Sequence, residues 1–494
     1  MTARPEAARA AGDPRPDVSS GALRGARALY EALWNANATP DAALREAARD
    51  FIERCRVEAR RRAHAPLPAP GALPRWQHEQ LDATGARYQA YLAERKAGGP
   101  RRYFSNRSHA LHFLRSVAPT KLVDGAWLYG LLGDSANPRL SDLIFTYLEE
   151  LGDGRPDRNH VLIYRRLLDA VGILDWRDQD DGHYVQGALQ LSLAACTEAM
   201  LPEIVGFNLG YEQLPLHLLV TAYELDELGI DPTYFSLHVT VDNAAGGHAQ
   251  RALLAAAAAV PATMDHNAFW RRVEDGFLLS EVGWGTSDAI AAFDPDAEFL
   301  RVLARGARQG RASHSDHCRI EGRTVNQWLA QDGGLAGFVE ALQRAGWLAR
   351  HTEPRDNRFW RLLQGDTPHM FGVFDDHELQ VIHDWIRADA ASDGQAFERG
   401  TDTPAPGPRR AVRPFRQARR LAPARGTGDP SFLSPDAGAG LDPDVAALRR
   451  ALAERGDPTA RAALLRRLLG PAFHWGTAGL EATRHVSSVL RAVA

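Results

Sequence analysis

The stretch Tyr234-Phe-Ser-Leu-His238-Val-Thr-Val-Asp242-Asn243-Ala-Ala-Gly246-Gly247-His248 holds the residues best suited to chemistry. His238 and Asp242 are four apart, so on a helix they stand one above the other on the same face. An imidazole and a carboxylate so arranged can share one divalent cation, and the mixed nitrogen and oxygen donor set suits iron or manganese. His248 comes ten residues after His238, about 80° round an ideal helix. It joins the other two only if Gly246-Gly247 unwinds the turn. Alone, a His-xxx-Asp pair is more often a solvated helix face than a metal site.

Three further signals add to this one. In Tyr147-Leu-Glu149-Glu150-Leu-Gly-Asp153-Gly-Arg-Pro-Asp157-Arg-Asn-His160, Glu150 ends one helix and His160 lies near the start of the next. The Gly-rich turn between them lets the two face one another across a helix pair. Glu149, Glu150 and Asp153 read equally as solvated acids at a turn, and Asp157 as an N-cap. Asp124, in Lys121-Leu-Val-Asp124-Gly-Ala-Trp127, and Glu212, in Gly206-Phe-Asn-Leu-Gly-Tyr-Glu212, sit in apolar surroundings. An acid so placed is costly unless it is paired in a buried salt bridge, with Lys121 or a nearby arginine, or bound to metal. Taken in order, the chain offers acid, acid, His, acid, His, acid, His on successive helices. Helical bundles build dinuclear carboxylate sites by projecting such groups inward from facing helices.

These residues resemble the heme-oxygenase-like diiron oxidases, the iron-containing redox enzymes. The resemblance is carried by Ala118-Pro119-Thr-Lys121-Leu-Val-Asp124-Gly-Ala-Trp127, by Leu148-Glu-Glu150 with His160, by Gly206-Phe-Asn208-Leu-Gly-Tyr-Glu212, and by His238-xxx-Asp242-Asn243 with His248. It implies a metal-ligand set of Asp124, Glu150, His160, Glu212, His238, Asp242 and His248, with Glu203 competing for the place given to Glu212. The family's last helix reads His-xxx-Asp-xx-His, whereas here His248 comes three residues later, across Gly246-Gly247. The first acid is Asp124 where Glu is commoner. The resemblance covers about residues 105–260 and implies two irons per chain (Fe2+/Fe3+) with O2 as co-substrate. It further implies an oxygenase or oxidase acting on a small, amino-acid-derived substrate, with N-oxygenation leading and oxidative C–C cleavage or decarboxylation as alternatives. An external electron donor goes with that chemistry. Tyr164 and Tyr211 are candidates to donate hydrogen bonds to the ligands, and Trp127, Tyr147, Phe207, Tyr234 and Phe235 line a pocket or fill plain core. The rival readings are a metal hydrolase or mononuclear-iron enzyme using His238, Asp242 and one more ligand, and a non-catalytic helical scaffold. Four separate carboxylates exceed what a mononuclear site needs.

The elements that must position these groups read as all-α. Apolar spacings of three and four predict helices over Ala22–Trp34 and Pro40–Ala63, the second capped by Asp41. Punctuation by Gly and Pro predicts further helices over Ser108–Leu132, Arg139–Leu151, Asp157–Val171, His183–Glu212 and Leu216–Leu228. Another begins with Asp231 as N-cap and Pro232 at the first helical position. Beyond 320, helices are expected over Arg323–Ala330, Gly334–Ala345 and Asp376–Ala388, with short strands at Phe359–Leu363 and Met370–Val373. The expected fold is therefore a heme-oxygenase-like helical bundle, with an N-terminal helical extension and a small, mostly helical C-terminal region. Its divisions are a disordered 1–20, an N-terminal helical segment 21–98, the diiron domain 99–310, an accessory segment 311–390, a Pro-, Gly- and Arg-rich disordered linker 391–440, and C-terminal helices 441–494.

Composition narrows the function classes. The 494 residues carry 58 Lys+Arg against 62 Asp+Glu, a net charge of −4, which lacks the basic excess of a nucleic-acid binder. At 45% hydrophobic and 24% charged the chain can bury a large core. Three scattered cysteines without CxxC spacing argue against a disulfide framework or a structural zinc, and fit a reducing compartment. Residues 1–20 lack an apolar secretory core, and no apolar run is long enough to span a bilayer. The expected address is cytoplasmic, with a small-molecule substrate, no nucleic acid and no membrane; a homodimer is one open arrangement. His314 with His317 reads as a solvated loop, and His377 and His383, six apart, do not share a helix face.

Overall fold

The structure is a computed structural model that describes residues 23–37, 39–61, 67–241, 247–260, 264–310, 314, 317–331, 333–366, 368–370, 372–388 and 442–493. Asp242, an expected metal ligand, lies outside these residues, as do the segments 1–20 and 391–440 that the sequence predicts to be disordered. Among those described, almost everything ordered is helix, and the only strands are one two-residue hairpin pair. The all-α expectation holds.

Three N-terminal helices, α1 (Ala26–Ala36), α2 (Ala42–Arg61) and α3 (Leu73–Lys96), lie against the bundle that follows. Asp41 caps α2 as the sequence predicts, accepting from the Leu44 backbone N–H at 2.7 Å. The bundle comprises α4 (Arg107–Lys121), α5 (Ser141–Glu150), α6 (His160–Ala170), α7 (Val185–Ala195), α8 (Thr197–Tyr211), α9 (Leu216–Glu227), α10 (Thr233–Val241), α11 (His248–Ala258), α12 (His266–Leu279) and α13 (Thr286–Ala291). One core runs through all of it. Phe51, Phe104, Phe113, Tyr164, Phe207, Tyr234 and Phe269 are fully buried, each worth roughly 1.5–3 kcal/mol of transfer free energy. The Tyr30 ring of α1 meets Tyr184 edge-on at 5.2 Å, so the N-terminal helices share this core.

A second core begins with α14 (Pro295–Gly310). It continues through β1 (Arg319–Ile320), β2 (Arg323–Thr324), α15 (Val325–Leu329), α16 (Gly334–Arg344), α17 (Arg358–Gln364) and α18 (Asp376–Arg387). Phe299 stacks on Trp385 at 4.1 Å near its centre. The C-terminal helices α19 (Pro443–Glu454), α20 (Pro458–Leu468) and α21 (Thr477–Val493) return to the first bundle, where α21 packs on α5 and the turn after it.

Several boundaries differ from expectation. The helix expected to run to Leu132 stops at Lys121; a turn follows, with Gly125 at φ +77°, and then a 3-10 helix over Ala126–Asp134. Asp124 therefore sits in that turn rather than on a helix face. The helix expected over His183–Glu212 is two, α7 and α8. Thr197 Oγ bonds the carbonyl oxygens of Leu193 and Ala194 where they meet, and competes with the helical ladder. Asn159, not Asp157, caps α6, accepting from Leu162 N at 2.9 Å, while Asp157 pairs with Arg155. Phe359–Leu363 is not a strand but part of α17: Phe359, Trp360 and Leu363 are buried at helical spacing. A short apolar run does not distinguish the two periods. Met370–Val373 forms no strand among the described residues. No helix among the described residues is long and apolar enough to cross a membrane.

Candidate metal centre

Six elements deliver one acid or imidazole side chain each to one buried centre. Asp124 comes from the turn after α4. Gly125 makes that turn possible twice over: its φ of +77° suits only glycine without strain, and a Cβ there would lie 2.9 Å from the Glu150 Cβ. Glu150 is the last residue of α5 and His160 the first of α6, joined by a tight turn that Asn159 closes by donating to the Leu151 carbonyl at 3.2 Å. Glu212 follows the last residue of α8, His238 lies within α10, and His248 is the first residue of α11. α10 ends at Val241 and α11 starts at His248, while Gly246, where the unwinding is expected, lies outside the described residues.

The six fall into two groups with one member in common. Asp124, Glu150, His160 and His238 converge in one, and Glu150, Glu212 and His248 in the other. His238 Nε2 is 3.1 Å from Asp124 Oδ2, and His160 Nδ1 is 2.6 Å from Glu150 Oε2 and 3.8 Å from Asp124 Oδ2. His248 Nδ1 is 3.1 Å from Glu150 Oε1 and 3.3 Å from Glu212 Oε2. The two oxygens of Glu150 thus serve different groups. All six side chains are buried.

Burial works against every charge here, and the neighbours decide the outcome. At Asp124 burial pushes the carboxyl up, but the hydrogen bond with His238 and the nearby Lys121 ammonium hold it below the usual range. Burial is likewise outweighed at Glu150, where His160 and His248 hold the carboxyl well down. Glu212 goes the other way: burial raises it, Glu150 and Asp124 add to the rise, and His248 only partly offsets it. Burial would lower His248, yet Glu212, Glu149 and Glu150 raise it well above an ordinary imidazole.

The residues fit a cation. Three carboxylates are crowded in a buried space, and Glu212 Oε1 has no hydrogen-bond partner among the described residues. His238 Nδ1 lies 2.8 Å from the Tyr234 carbonyl, which fixes the ring N–H there and turns the Nε2 lone pair toward Asp124. Two lone pairs 3.1 Å apart repel unless a proton or a metal ion lies between them. Helix ends favour the metal. Glu150 and Glu212 sit at helix C-termini, where the negative end of the dipole disfavours an anion and favours a cation. Each such effect is worth about 0.3–1 kcal/mol, and both favour a cation beside these two carboxylates. Nitrogen and oxygen donors in this mixture suit iron.

Six of the seven ligands expected from sequence come together; Asp242 lies outside the described residues. Glu203, the competitor to Glu212, is elsewhere, in a bidentate pair with Arg272 at 2.7 and 2.6 Å. Neither Tyr164 nor Tyr211 donates to a ligand: Tyr164 bonds the Leu114 carbonyl and Tyr211 the Gln186 side chain. Tyr234 takes that role, donating to Asp124 Oδ2 at 2.5 Å. Its place one turn before His238 was the available signal. Glu149 is also more than a solvated acid. Its Oε2 accepts from His248 Nε2 at 3.1 Å, and Arg251 and Arg491 pair with it. Burial would raise the Glu149 carboxyl, but these donors hold it down at about 2. The aromatics expected to line a pocket are core: Trp127 packs on Phe207 and Tyr211 and donates to Asn208.

Residues 111–279 match the family model for the iron-containing redox enzymes, which spans the turn of Asp124 and every other residue of both groups. The rest of the chain lies outside that match. No curated protein and no solved structure matches the chain.

Proposed function

Starting from an iron-containing redox domain with a buried acid–imidazole cluster, we propose that the protein is a non-heme diiron oxygenase. The observation that carries this reading is Glu150, whose two carboxylate oxygens face separate groups of ligands 2.6 and 3.1 Å away. A carboxylate so placed would serve as a ligand to an ion in each group. Asp124, His160 and His238 would hold one with Glu150, and Glu212 and His248 the other; Asp242, four residues after His238, is a further proposed ligand of the first. Bound and reduced, the pair of irons supplies the electrons and open positions that activate O2.

The protein's own groups do the rest. Tyr234 donates to Asp124 and fixes which oxygen turns to the cluster. The Tyr234 carbonyl and the Glu149 carboxylate each engage the outer nitrogen of a histidine, orienting His238 and His248 and leaving the inner nitrogen for the metal. Buried Tyr234, its ring 4.6 Å from that of His238, and Tyr164 packed on it at 4.7 Å keep water from this side of the centre. The favoured reaction is N-oxygenation of a small amino-acid-derived amine in the cytoplasm, in which R–NH2, O2, two electrons and two protons give R–NHOH and H2O. The electrons come from an external donor. The free thiols Cys55, Cys196 and Cys318 fit a reducing compartment.

The test is to load the full chain with Fe(II) without oxygen and mix it with 18O2, a chemical reductant and a panel of amino acids and amines. The proposal expects a transient visible absorption and a product heavier by labelled oxygen on nitrogen. Label in a carbonyl or released CO2 would shift the reaction to C–C cleavage or decarboxylation. Absence of both the absorption and O2 uptake would refute the oxygenase reading.

A further inference from the structure

The C-terminal helices lie outside the family match, yet they reach the edge of the metal centre. Arg491, near the end of α21, donates to Glu149 Oε1 at 3.1 Å, while Glu149 Oε2 accepts from the outer nitrogen of His248 at 3.1 Å. The same guanidinium holds both oxygens of Asp153 at 3.1 Å and lies 5.2 Å from the Phe145 ring centre, so its position is set on three sides. Ser487, one turn back on α21, also donates to Asp153. A second arm reaches His160: buried His474 lies with Nδ1 3.1 Å from Asn159 Nδ2, and Asn159 is the cap of the helix that begins with His160. Tyr147, three residues before Glu150, donates to the Leu469 carbonyl at 2.5 Å. Contacts from one segment thus fall beside Glu150, His160 and His248.

We propose that residues 442–493 are a positioning element of the metal centre, with Arg491 acting through Glu149 to hold His248 in its ligating orientation. The inference rests on the diiron reading. A carboxylate behind a metal-bound histidine fixes the ring and raises its basicity, and removing such a partner typically weakens metal binding 10–100-fold. Glu149 has a second holder in Arg251, 2.7 Å away, so loss of Arg491 alone belongs at the lower end, about tenfold.

The experiment is an anaerobic Fe(II) titration of the full chain, comparing wild type with Arg491→Ala, Arg491→Lys and Arg449→Ala. Arg449 is a matched control, because it pairs with Glu481 within the same segment and does not reach Glu149. Mössbauer spectra at each iron level report the two sites separately, and thermal unfolding of the metal-free proteins reports the fold. The proposal expects Arg491→Ala to bind one of the two ions about tenfold more weakly, with the first little changed. Arg491→Lys should recover part of the loss, and Arg449→Ala should bind like wild type. If Arg491→Ala matches wild type at both sites, or Arg449→Ala loses as much as Arg491→Ala, the positioning role is wrong while the diiron reading stands. If wild type itself takes up fewer than two ions, both fall.

Discussion

Glu212 shows what the centre costs the fold. Its carboxyl is buried, one oxygen lacks a hydrogen-bond partner among the described residues, and two other acids lie close by. An unsatisfied buried polar group costs about 1–3 kcal/mol. Replacing it with the neutral amide in Glu212→Gln should therefore leave the metal-free protein as stable as wild type, or about 1 kcal/mol more stable. Iron capacity should fall at the same time. Chemical denaturation of metal-free protein, set beside an iron titration, checks both; a large loss of stability would mean that Glu212 is structural. At this scale the sequence was most legible where an acid had no reason to be inside. Asp124 and Glu212 stood out among apolar neighbours, whereas Glu149 and Arg491 look like any solvated pair. Their roles come from a contact across 342 positions of chain, which no local spacing encodes.

The helices are held close enough to converge by what they lack. Where α8 crosses α12, a Cβ at Gly206 would strike the Val273 carbonyl, and one at Gly276 would strike the Glu203 carbonyl. The crossing is backbone against backbone, and α8 leads directly into Glu212. Gly276→Ala must push the two helices apart, and overpacking of this kind costs about 1–3 kcal/mol. The expected result is a lower denaturation midpoint together with weaker iron binding, because the end of α8 shifts; a wild-type midpoint would show that the crossing yields without strain. Helix identity was legible from apolar periodicity, and His238 from its place within α10. Some helix ends were legible too, at Glu150, His160 and Glu212. Others were not: Asp124 fell in a turn, and α7 and α8 were read as one, because side-chain bonds such as those of Thr197 decide where a ladder breaks.

Across the whole molecule, two cores are joined by buried charge. Arg301 on α14 pairs with Glu298 on its own helix and with Asp175 in the loop beyond α6, and Arg305 reaches Asp175, Asp375 and Glu378. Glu298 is also met by Arg115 and His112 of α4. Breaking such a network on one side leaves acids buried with too few partners, at about 3–5 kcal/mol when fully desolvated. Arg301 is about a quarter exposed, so Arg301→Ala should cost somewhat less, about 2–3 kcal/mol. Urea unfolding measures it, and an unchanged midpoint would show that the remaining arginines suffice. The accessory helices were legible, but their joint to the first core was not, since it depends on pairings far apart in the chain. The convergence of distant acids and imidazoles was foreseeable from their order on successive helices. Its most direct test is an iron count on the full chain after anaerobic loading with Fe(II) and removal of free metal. The account predicts two irons per chain, falling below one in Glu150→Ala, which removes the group common to both sites. One iron per chain in wild type, or an unaltered count in Glu150→Ala, would contradict it.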